Sequence, residues 1–211
     1  MNLPANTQTN NEPGKLHAVI KFYPLALLDF NFPTVQPAIE ARNNRFGVQF
    51  TWGFNNNFYT MQDGAQNKYY VNGNRYRLEF RRYRVKNVKS TSEKFRGVVL
   101  FATNYSKAMR QFQFRDRESK KNYSFEKGTI HKKVYGIAYK TGGIMKLGKR
   151  ISLEYSPEIG IRIVKTSFTD FIDLKEIEWR PRNSVNPESS LQGTKILPHP
   201  GITVGISYRV F

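Results

Sequence analysis

Three histidines, His17, His131 and His199, are the first candidates for chemistry in this 211-residue chain. Histidine is the side chain that most readily serves as base or metal ligand near neutral pH. The three are scattered, with no pair at the spacing that brings two imidazoles onto one ion. The chain has no cysteine, which removes thiolate nucleophiles, disulfides and Cys-based metal sites. His131 has Ser124 and Glu126 near it in sequence, but nothing in the spacing sets a base beside a nucleophile. No glycine-rich phosphate loop opens a helix. The expectation is a protein that is not an enzyme, with no cofactor and no metal.

Charge is the second kind of chemistry. Lys and Arg number 34 against 16 Asp and Glu, a formal net charge of +18, and such an excess points to polyanions: nucleic acid, anionic lipid headgroups or acidic glycans. The segment SKAMRQFQFRDRESKKNYSFEKGTIHKK (106–133) concentrates it, and Lys120, Lys121, Lys132 and Lys133 are its candidate polyanion-binding residues. If it rises from the outer leaflet of a membrane, its cations can pair with lipopolysaccharide phosphates or dock an acidic partner. A solvated loop explains it equally well. RRYRVK (81–86) has the look of a nucleic-acid patch, but the alternation around it splits its arginines between two faces, so no nucleic acid is expected.

That alternation defines the elements. RFGVQFTWGF (45–54) sets Phe46, Val48, Phe50, Trp52 and Phe54 against Gly47, Gln49, Thr51 and Gly53. RISLEYSPEIGIRIV (150–164) sets Ile151, Leu153, Tyr155, Ile159, Ile161 and Ile163 against Ser152, Glu154, Glu158, Gly160 and Arg162. Both read as strands. TVQPAIEAR, NRYRLEFRRY and the closing ITVGISYRVF follow the same rule, while LHAVIKFY, FRGVVLFATNY and VYGIAYKTGGIM are strands of less certain phase. The count is eight. Only FTDFIDLKEIEW (168–179) suggests a helix, a short one in a loop. Short connections (RNNR, KLGK, and the modest VKNVKSTSEK) alternate with long ones at about 55–74, 106–133 and 169–200. Short turns at one end and long loops at the other are the layout of an up-and-down outer-membrane barrel.

The polar faces carry Glu40, Arg42, Arg75, Arg77, Glu79, Arg81, Glu154, Glu158, Arg162 and Arg209 among small residues. Eight strands leave an interior that side chains nearly fill, so this set suits a narrow or plugged lumen in which Arg–carboxylate pairs satisfy each other. Trp52, Phe54, Tyr76, Tyr139, Tyr155 and Tyr208 on the apolar faces suit aromatic girdles at lipid interfaces. The same pattern turned inside out would be a soluble, lipocalin-like barrel holding a small anionic ligand. A third reading is an enzyme whose site lies on the outer loops.

Lys21–Phe54 resembles the opening of small outer-membrane barrels of Bacteroidota, a family of unknown function and OmpA-like eight-stranded type. Lys21, Pro24, Leu25, Ala26, Leu27, Leu28, Phe32, Pro33, Glu40 and Arg42 fit its pattern, with Tyr23 where the family has Asn and DFN in place of a Gly-containing turn. YRLEFRRYR (76–84) is similar to the family's R-x-E-x-R-Y-Y strand, and GISYRVF to its closing strand. The resemblance implies an all-β, eight-stranded antiparallel up-and-down transmembrane β-barrel with short periplasmic turns, long extracellular loops and both termini in the periplasm. It implies no reaction.

The expectation is therefore a flexible lead-in over residues 1–14, without the pattern of a secretory signal, and one barrel domain over 15–211 in a bacterial outer membrane. Its role is that of a structural or complex-forming subunit. The expected partners are outer-membrane lipids, lipopolysaccharide and other outer-membrane subunits. The terminal strand should pair with the first near Leu16–Tyr23, removing both sheet edges. A closing strand that ends on Phe211 resembles a barrel-assembly signal, but Phe211 shares parity with Arg209 and Ser207, one step out of phase with the apolar face, so either a bend frees it or the signal reading is weaker than the barrel reading.

Overall fold

The computed structural model describes residues 16–28, 34–56, 61–63, 67–69, 71–84, 92–178 and 191–210. Its strands in chain order are β1 (His17–Phe22), β2 (Pro37–Arg42), β3 (Phe46–Asn56), β4 (Met61–Asp63), β5 (Asn67–Tyr69), β6 (Val71–Tyr83), β7 (Ser92–Asp116), β8 (Asn122–Lys146), β9 (Ile151–Ile172), β10 (Lys175–Ile177) and β11 (Leu191–Arg209). A 3-10 turn, Pro24–Leu28, follows β1. Eight of the strands make the wall, in the order β1-β2-β3-β6-β7-β8-β9-β11, each antiparallel to the next. The ring closes where β11 returns to β1, from Val19 opposite Arg209 to Phe22 opposite Ile206. Closure leaves the wall no unpaired edge. The lead-in 1–14, Phe32, Pro33 and Phe211 lie outside the described residues.

The expected short turns are seen at two connections. Asn43 joins β2 to β3 by accepting the backbone N–H of Arg45 (2.8 Å) and Phe46 (2.7 Å), an Asx turn. At the other end the structure differs from the expectation of long loops. Much of 106–133 is strand: β7 and β8 run on together and leave only Arg117–Lys121 as the turn between them. Residues 169–172 and 191–200 likewise belong to β9 and β11, and β4 pairs with β5 inside 55–74. The helix expected in FTDFIDLKEIEW is absent over 168–178, which hold the end of β9, a bend and β10. Asp170 and Asp173 take positive φ there (56° and 59°), a conformation that interrupts any helix. Thr, Phe and Ile in TSFTDFI favour the ladder that β8 offers.

The extended end carries its own small core. Phe114, Phe125, Ile130 and Phe168 are buried together, with Met109, Phe112, Tyr123 and Phe171 packed around them. Phe114 stacks on Phe168 with ring centroids 4.2 Å apart. β10 adds to β8 through Lys175 opposite Ser124, and the first residues of β11 pair parallel with the end of β7. These contacts make the hairpin tip a folded cap.

The wall is apolar outside. Phe46, Val48, Phe50, Trp52, Phe80, Leu100, Ile137, Tyr155, Ile161 and Ile202 are all exposed. On β7 the outward apolar residues lie between Arg96 and Asn104, eight residues apart, about 26 Å along a strand. On a strand tilted by about 40° that length rises roughly 20 Å, a little less than the apolar band of about 25 Å on outer-membrane barrels.

Candidate functional site

Period-2 alternation turns the other parity inward, and the interior is polar. Gln49 and Thr51 of β3, Arg77, Glu79 and Arg81 of β6, Lys140 of β8, Glu154, Ser156 and Glu158 of β9 and Ser207 of β11 are buried, as are Lys21 of β1 and Glu40 of β2. Fully charged groups taken from water need partners, and every charged member of this set has one. Lys21 Nζ lies 2.6 Å from Glu40 and 2.6 Å from Glu154. Arg81 donates to both oxygens of Glu154, at 2.8 and 2.9 Å, and its Nε to Glu79 at 3.0 Å. Lys140 Nζ donates to both oxygens of Glu79 at 3.1 Å. Arg77 grips Glu158 with two nitrogens, at 3.2 and 2.5 Å. Four cations (Lys21, Arg77, Arg81, Lys140) thus meet four carboxylates (Glu40, Glu79, Glu154, Glu158), and the network is neutral as a whole.

Aromatic and small residues complete the packing. Tyr83 donates its hydroxyl to Glu40, and Gln49 donates to the Tyr23 hydroxyl at 2.7 Å. The Arg81 guanidinium lies 4.5 Å from the Phe95 ring centroid. Tyr23 fits because residue 205 is glycine: a Cβ there would stand 2.7 Å from the Tyr23 ring. Gly136 makes the same room for Phe101, whose ring would overlap a Cβ at that position.

Above the network, toward the cap, the lumen widens into a cavity of about 450 Å³, lined among others by Arg75, Arg77, Lys132, Glu158, Arg162 and His199. Of the ten residues read from sequence as a lumen charge network, Glu40, Arg77, Glu79, Arg81, Glu154 and Glu158 are the linked core. Arg42 pairs with Glu93 at 3.1 Å. Arg75 and Arg162 line the wider cavity, and Arg209 lines a small one at the opposite end. Sequence reasoning missed Lys21, Lys140, Tyr23, Tyr83 and Gln49. Lys21 and Lys140 sit in the strands whose phase was uncertain, yet each is the lone charge in a run of apolar and small residues, which is the signal that could have found them.

The four lysines read as a polyanion-binding loop do not come together. Lys120 and Lys121 are exposed at the hairpin tip, where Lys121 pairs with Glu176 at 2.8 Å. Glu176 also holds the Lys121 ammonium above the usual lysine value, first through that hydrogen bond. Lys133 is exposed on the wall, but Lys132 has the opposite parity and is buried in the lumen. The histidines also lie apart. His131 meets the Thr169 hydroxyl at 2.9 Å, and His199 meets Glu158 at 3.1 Å and packs at a tilt against the Phe101 ring, centroids 4.3 Å apart. Ser124 is seven residues from His131 on the same strand, about 23 Å away, so the two form no nucleophile–base pair. Among the described residues no group of three or more His, Asp or Glu is placed to hold a metal ion.

No protein-family model matches the sequence, and no curated protein does. Among solved structures, the fold is similar to a major outer membrane protein from Thermus thermophilus (13% identity, 92% of this chain and 98% of that chain, TM-score 0.44). It is also similar to CarO of Acinetobacter baumannii (10% identity, 93% and 97% covered, TM-score 0.45). The class rests on the chain's own geometry: a closed antiparallel barrel, apolar outside and charged inside, is a transmembrane β-barrel.

Proposed function

We propose that this protein is a bacterial outer-membrane barrel of the small Bacteroidota type its sequence resembles, acting as a non-enzymatic structural or complex-forming subunit with a closed lumen. One observation carries this reading: four cations and four carboxylates, all buried and mutually paired, fill the middle of the barrel. A diffusion pore needs water there, and eight strands leave little space once side chains fill it. The soluble alternative is disfavoured by polarity, since a water-facing barrel buries its apolar face. Short turns face the periplasm in this reading, and the cap with Lys120, Lys121 and Lys133 faces outward, where these lysines meet lipopolysaccharide phosphates or an acidic subunit.

Reconstitution into planar bilayers tests the closed lumen. The wild-type chain should give no discrete conductance steps, and the double variant Arg81→Ala/Glu154→Ala should introduce them. Steady conductance of the wild-type chain would overturn the reading.

A further inference from the structure

Five basic side chains gather on the outside of the wall at the short-turn end: Arg45 in the β2–β3 turn, Arg82 and Arg84 at the end of β6, and Lys94 and Arg96 at the start of β7. All five are exposed, and together with Phe46 and Thr141 they line a cavity of about 610 Å³. The register makes the crowding specific. Arg82 stands directly opposite Arg96, the Arg84 N–H donates to the Lys94 carbonyl (3.0 Å), and the Tyr83 N–H to that of Arg45 (2.7 Å).

Like charges directly opposite on adjacent strands repel, so this arrangement needs an anion. Among the described residues the chain does not supply one nearby. The neighbouring carboxylate, Glu93, is engaged by Arg42 at 3.1 Å and Lys146 at 3.5 Å.

Position identifies the anion. The outward row Phe46–Arg82–Arg96–Thr141 lies one step along the strands from the row Val48–Phe80–Val98–Tyr139, whose four residues are exposed and apolar or aromatic. The basic row therefore begins where the lipid-facing wall ends, at the depth of headgroup phosphates. We infer that this collar binds the phosphates of anionic phospholipids in the leaflet at the short-turn end, an inference that rests on the membrane-spanning reading above. Arginine forks match phosphate oxygens in pairs, and Phe46 and the apolar row above it take the upper acyl chains. A soluble acidic protein would have to press against that apolar wall to reach the same guanidinium groups.

The test uses the full chain in nanodiscs of phosphatidylethanolamine doped with phosphatidylglycerol, with retained lipids read by native mass spectrometry. The wild-type barrel should retain phosphatidylglycerol selectively. Each basic side chain near an anionic surface contributes about fivefold, so Arg82→Gln/Arg96→Gln should lower that selectivity roughly thirtyfold. Arg84→Gln/Lys94→Gln should act in the same direction, which guards against a folding defect in the first pair. Lys175→Gln, at the opposite end and paired with Asp173, should change nothing. Equal retention by the collar variants and wild type overturns the inference while leaving the barrel reading intact. So does displacement of the lipid by inorganic phosphate, which would make this a free-phosphate site. A chain that stays monomeric in solution without detergent or bilayer overturns both.

Discussion

Replacing Glu154 with glutamine removes one charge from the centre of the lumen and keeps the side chain's size. Glu154 is fully buried and takes a hydrogen bond from Lys21 at 2.6 Å and two from Arg81 at 2.8 and 2.9 Å. Glutamine offers one oxygen where the carboxylate offers two, so a cation is left facing an amide NH₂. Four cations then confront three carboxylates in an interior that side chains nearly fill. Breaking a buried ion pair from one side costs about 3–5 kcal/mol, because the remaining charge stays desolvated. With a urea slope of about 3 kcal/mol/M for a chain of this size, the unfolding midpoint should fall by roughly 1–2 M.

The assay is urea unfolding in detergent micelles, followed by tryptophan fluorescence and by the heat-modifiable gel mobility of the folded barrel. Glu126→Gln, an exposed position on β8, is the matched control and should move stability by no more than about 0.5 kcal/mol. Equal midpoints for the two variants would refute the reasoning. Water would then reach the lumen freely enough to replace a lost partner, and the network would close nothing.

Three further outcomes are expected. Gly205→Val should abolish the heat-modifiable folded band, because the new side chain enters the Tyr23 ring at the β1–β11 seam, whereas Gly148→Ala, with open space around its Cβ, should fold normally. Phe168→Ala should make the β7–β8 tip sensitive to trypsin while the wall still migrates as folded, since Phe168 is buried in the cap and such truncations cost about 3–5 kcal/mol. The Ser119 hydroxyl, with the backbone N–H groups of the turn, holds the Asp116 carboxyl below its ordinary range. Its contribution is therefore fully present above the ordinary value and lost as pH falls through the lowered one. The amide resonances of Glu118 and Ser119 should shift with a midpoint below about 3.9, and a midpoint at or above that value refutes the turn.

The wall was legible because its signal is local. Five of the eight strands show themselves in a few residues of alternation and the other three as short apolar runs of uncertain phase, and pairing β11 with β1 needs only the logic that a barrel removes edges. The long connections were misread because their strands lack that signal. In Lys107–Lys133 both parities carry charged and aromatic residues, and the pairing of β7 with β8 comes from the shared register, which continues past the apolar wall. Lys132 shows the consequence: it was grouped with its neighbours Lys120, Lys121 and Lys133 by sequence, and parity sends it into the lumen. The helix read in FTDFIDLKEIEW failed for a related reason, since its apolar spacing is compatible with a helix and only the free edge of β8 at Asn122–Ser124 decides for β10.

The charge of the chain, taken as one number, misleads about where chemistry happens. The central network takes four cations and four carboxylates, leaving 30 basic against 12 acidic residues, so all of the +18 lies elsewhere. A narrow lumen can hold charge only in balance, because an unpaired ion there costs several kcal/mol. The surplus must sit where water or a counter-anion reaches it, at the two ends of the barrel and in the wider cavity below the cap. At the cap, Glu176 and Asp173 answer part of it by pairing with Lys121 and Lys175. At the short-turn end, Arg82 faces Arg96 with Arg84, Lys94 and Arg45 beside them, and among the described residues no carboxylate lines the cavity they share. The strongest demand for an external anion therefore lies on the turn side, opposite to the end that the lysine-rich sequence of 106–133 first suggests.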